Sequence, residues 1–398
     1  MKTLRFLTVV TLLVACVAAM HSQNVTEKVK TVDFEALAQK IVNQCAVIKE
    51  GEVVLIIGGV KDIELLENIA VNVSKVGAYP LISVGSDRLT RRLYTEVPEK
   101  YDTQFPLLNM KLLDFTNVVI SVSYGEDPGL LADISPERLA AISNTSVQVN
   151  DLAVKRNVRQ VSLGNGLYPT EALAKQFGMT KAELSDIFWK GVNTDYSKLT
   201  ATGEAVKAVL KAGKEVQITN SNGTDFKVRI ENRPVFTSDG ITSAEDLKGG
   251  LAAMQVYLPA GEVFVTPVPG TAEGTVVVDR DFYQGKLVEA ITLTFKAGKL
   301  ISMTAKSGLE PLKAMYDAAG SGKEEFSFID IGINPDVKVK PGSMLLSWIP
   351  SGMLTIGIGN NIWAGGENKN PYGYNFFMPG STVKVDGKIL VENGVLVK

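Results

Sequence analysis

A chain of 398 residues is longer than a single hydrophobic core usually serves, so two domains are expected. With 45% apolar and 21% charged residues it has an ordinary globular composition, and a formal net charge of -2 gives none of the basic excess that nucleic-acid binding requires. The single histidine, His21, and the two cysteines, Cys16 and Cys45, exclude a histidine-activated nucleophile and a zinc site built on imidazoles and thiolates.

In chain order, Lys2 and Arg5 precede the apolar run Phe6 to Ala19, which has the charge and length of a secretory signal. Export is therefore expected, to the periplasm, the cell surface or the medium. Val17-Ala18-Ala19 offers a cut before Met20, ending a signal at residues 1–19, while Leu13-Val14-Ala15-Cys16 resembles the bacterial lipoprotein box, in which Cys16 is lipidated. Both routes stay open. Membrane contact is expected only through such a lipid anchor, because the run is shorter than the ~20 residues of a spanning helix. Past the signal only Cys45 remains, so the mature chain has no intrachain disulfide and relies on core packing.

Val53 to Ile57 is an apolar strand ending at Gly58-Gly59, Ile63 to Val76 has helical spacing, and Tyr79 to Val84 is a second strand, together a βαβ unit. Val118 to Val122 adds a strand, and Ser135-Pro136-Glu137 starts a capped helix. The expectation is an α/β N-terminal domain with a parallel sheet over residues 30–190. After the polar stretch Asn193-Thr194-Asp195 the pattern changes to an α+β, strand-rich C-terminal domain over 195–398. It opens on a helix, Gly203 to Ala212, and continues with hairpins around Asn222-Gly223, Ala297-Gly298, Asp386-Gly387 and Asn393-Gly394. Gly320-Ser321-Gly322-Lys323 lacks the context of a phosphate loop and reads as a polar loop, and Gly357-Ile358-Gly359 and Gly365-Gly366 read as backbone turns.

The most informative segment is Leu258-Pro259-Ala260-Gly261-Glu262-Val263-Phe264-Val265-Thr266-Pro267. An acid between a proline turn and an apolar strand is costly to bury unless paired, which makes Glu262 a candidate site residue. This run resembles the signature of the M29 aminopeptidases around their first metal-binding glutamate. Lys49 to Ile56, Gly77-Ala78-Tyr79-Pro80, Asn222 to Phe226 and Ile331-Gly332-Ile333-Asn334-Pro335 extend the similarity over most of the chain. The resemblance implies an M29-like fold, a homodimer, and an active site in the C-terminal domain where two glutamates, two histidines and an aspartate hold two divalent metals that activate water.

On the positions of this chain that pattern keeps Glu262 alone: the other ligands fall on Phe328, Thr355, Gly373 and Asn375. Asp330 and Glu367 are the acids nearest the lost positions. The resemblance therefore implies an M29 homologue with a degenerate metal site, a non-catalytic binding protein with no catalytic residue and no cofactor. Its expected partner is a peptide or small-molecule ligand in a cleft formed by Glu262, Phe328, Thr355, Tyr372, Tyr374 and Asn375. Met353, Trp363, Phe376, Phe377 and Met378 belong either to that cleft or to the core. The alternative is an active aminopeptidase or hydrolase with a divalent metal in a rebuilt carboxylate site.

Overall fold

A computed structural model describes residues 32–340 and 342–397; the run expected to be an export signal, Cys16 and His21 lie outside these residues. Five strands, Val53–Gly59, Tyr79–Gly85, Val118–Val122, Arg159–Leu163 and Gln255–Leu258, form an all-parallel sheet. In space their order is second, first, third, fourth, fifth. The apolar face of the helix Ile63–Lys75 places the fully buried Leu65, Leu66, Ile69 and Val73 in the core, which completes the βαβ unit legible in the sequence. Helix starts follow their capping residues: Ser135 Oγ accepts from Arg138 N at 3.2 Å, and Asp195 Oδ1 accepts from Ser197 N at 3.0 Å.

The polar stretch at 193–195 is a tight junction between the helices Lys181–Val192 and Tyr196–Ala212. Buried Thr194 donates from Oγ1 to Asp336 Oδ2 at 2.6 Å and ties that junction to the second half of the chain. The fifth parallel strand, 255–258, also comes from beyond this junction, and residues Phe34–Lys398 form one compact unit. An α/β region with a parallel sheet is thus continuous with a strand-rich antiparallel region.

That second region has two sheets. One has eight antiparallel strands drawn from residues 215–229, 273–304 and 382–396. Four of its hairpins turn at 284–285, 297–298, 386–387 and 393–394 with both central residues at positive φ, the type I′ geometry that matches strand twist. The other sheet has five antiparallel strands in the spatial order Gly373–Phe377, Leu354–Gly359, Phe326–Gly332, Glu262–Val265 and Val235–Ser238.

Gly357-Ile358-Gly359 is not a turn. It ends the strand 354–359, and a Cβ on Gly357 would lie 2.2 Å from Phe328 Cε1, so the missing side chain makes room for that ring. Gly365, at φ +79, does close the short helical turn Ile362–Ala364. The 320–323 segment is a loop in which Lys323 Nζ donates to Asp317 O and Ala319 O, both at 2.9 Å, closing the end of the helix Glu310–Ala318.

Candidate functional site

The site begins at the connection between sheets. The parallel strand 255–258 ends, a cis Leu258–Pro259 bond and Ala260-Gly261 reverse the chain, and Glu262 opens a strand of the five-stranded antiparallel sheet. Gly261, at φ +134, would bring a Cβ to 2.9 Å from Asn334 N, so only glycine permits this approach. Gly261 N donates to Ser238 O and Ile333 N donates to Gly261 O, each at 2.8 Å. The fully buried Asn334 locks the turn: Nδ2 donates to Ala260 O at 2.6 Å and Gly191 O at 3.2 Å, and Oδ1 accepts from Asp336 N at 2.9 Å. The Pro-x-Gly-Glu and Asn-Pro segments are therefore two halves of one device that positions Glu262.

Strand register carries the site outward from there. Asp330 lies opposite both Phe264 and Thr355, Gly332 opposite Glu262, and Gly357 opposite both Phe328 and Asn375. Because side chains alternate along a strand, Glu262, Phe328, Asp330, Thr355 and Asn375 share one face. With Asn165, Tyr257, Trp348 and Trp363 they line a cavity of about 260 Å³. Glu262, Phe328, Asp330 and Thr355 are buried at its base, while Tyr257, Trp348, Trp363 and Asn375 stay partly exposed.

The same alternation sends Tyr372 and Tyr374 to the opposite face. The Tyr372 ring packs 5.8 Å from Tyr316, and that of Tyr374 6.0 Å from Tyr283. Neither lines the cavity with Asn375. Gly373 does not line it either, and Glu367 lines a separate groove of about 480 Å³ with Arg233 and Lys299. Trp363 lines the cavity and also packs on the core, its ring 5.0 Å from Phe328 and 5.2 Å from Phe264. Met353, Phe376 and Met378 are buried, and Phe377 stacks on Trp348 at 5.4 Å.

Three lining residues were not anticipated from sequence: Asn165, Tyr257 and Trp348. Asn165 sits in Gly164-Asn165-Gly166, three successive residues at positive φ just after the strand Arg159–Leu163, and that Gly-Asn-Gly run was the available signal. Its Nδ2 donates to Pro259 O at 3.0 Å and to Glu262 Oε1, while its Oδ1 accepts from Trp348 Nε1 at 2.6 Å. Tyr257 donates its hydroxyl to Gln255 Oε1.

Burial pushes the Glu262 and Asp330 carboxyls well above the ordinary carboxylate range. The hydrogen bond from Asn165, with the Trp348 N–H nearby, pulls Glu262 part of the way back, whereas the Glu262 charge raises Asp330 further. Asp330 Oδ1 and Thr355 Oγ1 are buried and have no hydrogen-bond partner among the described residues. The cavity thus offers two carboxyls, the hydroxyls of Thr355 and Tyr257 and two amides against four aromatic rings. Among the described residues no three His, Cys, Asp or Glu side chains stand together in a way that holds a metal ion.

A parallel α/β layer passing through the 258–262 turn into antiparallel sheets, with a glutamate delivered at that turn, is the architecture of a metallopeptidase fold. Residues 31–328 match the model of the thermophilic metalloprotease family M29, and the chain belongs to that family. It is 25% identical over 292 residues to aminopeptidase 2 of Geobacillus stearothermophilus, covering 68% of this chain and 69% of that protein. Its structure resembles wild-type AmpT from Thermus thermophilus with a TM-score of 0.70 at 20% identity, covering 92% of this chain and 99% of the other. A 2,5-dihydroxypyridine dioxygenase from Pseudomonas putida KT2440 matches with a TM-score of 0.58 at 15% identity, covering 92% of this chain and 96% of the other. The two structural likenesses speak for the fold alone. The family match ends at Phe328, so Thr355, Gly373 and Asn375 lie beyond it.

Proposed function

We propose that this chain is an M29 homologue that has given up the family's dinuclear metal centre and uses the Glu262 cavity to bind a ligand without catalysis. The donor set carries this reading. Where the resemblance implies two glutamates, two histidines and an aspartate, the chain has Glu262, Phe328, Thr355, Gly373 and Asn375. Two carboxyls without a nitrogen donor do not fit a pair of transition-metal ions. The Phe328 ring lies where a ligand is expected, and Glu262 is engaged by Asn165. What remains is a small cavity with aromatic walls and a few polar groups, the usual composition of a small-molecule site.

Export through the run Phe6 to Ala19, read from the sequence pattern, and association as a homodimer, which the resemblance implies, are parts of the same proposal. The competing reading is an active hydrolase with one metal between Glu262 and Asp330, and the unpartnered Asp330 Oδ1 favours it. Assays on aminoacyl 4-nitroanilides with added zinc, cobalt or manganese separate the two. The proposal expects no release above the buffer rate. Turnover that disappears in a Glu262→Gln variant supports the active enzyme.

A further inference from the structure

We infer that the ligand of the Glu262 cavity is a small primary amine, taken up as its ammonium ion. This rests on the reading of the cavity as a binding site, and adds the chemistry of what binds.

The first argument concerns hydrogen bonds. Asn165 and Tyr257 direct their polar atoms to protein partners, but Asp330 Oδ1 and Thr355 Oγ1 have none among the described residues. These two residues face each other on paired strands, and both are at least nine-tenths buried. Buried acceptors left without a donor are costly, so the pair is arranged for an N–H group arriving from the cavity.

The second argument concerns charge. Two carboxyls line the cavity, and no lysine, arginine or histidine does. The complement of two buried carboxyls without a cation of their own is a cationic guest.

The third argument concerns shape. The Trp363 ring meets Phe328 at 76° and Tyr257 at 86°, and the Trp348 indole is held by its N–H bond to Asn165. Together with Tyr257 and Phe328 they line the cavity with four aromatic side chains, whose ring surface can attract a cation and cover an apolar substituent. An alcohol lacks the charge, a quaternary ammonium lacks the N–H donors, and a metal ion makes no use of the rings. A primary ammonium uses all three features. About 260 Å³ lies just below the ~300–1,000 Å³ of sites for drug-sized ligands, which suits a small amine such as benzylamine.

Isothermal titration of the full chain with benzylammonium chloride, benzyl alcohol and the dipeptide Phe-Gly tests this. Benzylammonium is expected to bind at least about tenfold more tightly than the isosteric alcohol. Asp330→Asn and Thr355→Val, both close to isosteric, are each expected to weaken the ammonium at least about fivefold while melting shows the variants folded. If Asp330→Asn does not fold, Thr355→Val decides the question alone. Equal affinity for the alcohol, no binding of the ammonium, or tighter binding of the dipeptide would overturn the inference. Tight alcohol binding would leave a binding site with a different ligand, whereas zinc-dependent cleavage of the dipeptide would overturn the underlying reading instead.

Discussion

Gly357 shows how much a single position decides. Its missing Cβ admits the Phe328 ring, so Gly357→Ala forces a contact near 2.2 Å on the strand that also carries Thr355. We expect a loss of about 1–3 kcal/mol, read as a lower urea midpoint with an unchanged slope; an unchanged midpoint would show that the ring moves freely aside. Asp281 gives a pH signature. It is buried beside Tyr374 with Oδ2 unpartnered, and burial pushes its carboxyl up to about 7 against the hydrogen bond it accepts from Phe282 N. The folded chain keeps a proton that the unfolded chain releases near the ordinary value of 3.8, so stability is lost as pH rises from there through about 7. In melting curves the Asp281→Asn variant should gain on the parent as pH rises across that window. A constant difference would mean that Asp281 does not titrate in this way. At this scale the sequence was informative where the chemistry is local: Glu262 was legible because an acid sits between a proline turn and an apolar strand. Its partner Asn165 lies 97 residues away, and Trp348 is 183 residues from Asn165, separations that local pattern cannot bridge.

At the scale of elements, the 259–261 turn and the 333–335 segment act as one unit through Asn334. Asn334→Ala would strip partners from Ala260 O, Asp336 N and Val337 N, and we expect it to cost about 1–3 kcal/mol and to broaden the signals of the Glu262 strand in NMR spectra. Sharp, unshifted signals with full stability would remove Asn334 from that role. The strands and hairpins themselves were largely legible, since Val53 to Ile57 and Ala297-Gly298 carry periodicity and turn chemistry in their own residues. Register was not. Placing Tyr374 with Asn375 in one cleft ignored the alternation that sends neighbours to opposite faces, and Gly357-Ile358-Gly359 resembled a turn because nothing local announces the Phe328 ring across it.

At the scale of the whole molecule, the parallel sheet takes its last strand from residues 255–258, after the chain has already laid down antiparallel strands. Gln255-Val256-Tyr257-Leu258 is short and sits among other strands in sequence, so its allegiance is set by the Asn165 loop and the turn that follows rather than by its own composition. That return places the ends of two parallel strands against one face of an antiparallel sheet and so brings Asn165 and Tyr257 to Glu262. The proposed export signal has its own test: radiolabelled palmitate retained by the parent and lost in Cys16→Ala supports a lipid anchor, while label in neither removes the anchor, and a mature N-terminus at Met20 then supports the cut before it. The most direct test of the central claim is the metal content of the full chain, measured by plasma mass spectrometry after equilibration with excess zinc, cobalt and manganese and removal of free ions. A chain whose cavity offers only two buried carboxyls should retain less than ~0.1 ion per molecule. One or two ions per molecule, lost in Glu262→Gln, would contradict the account.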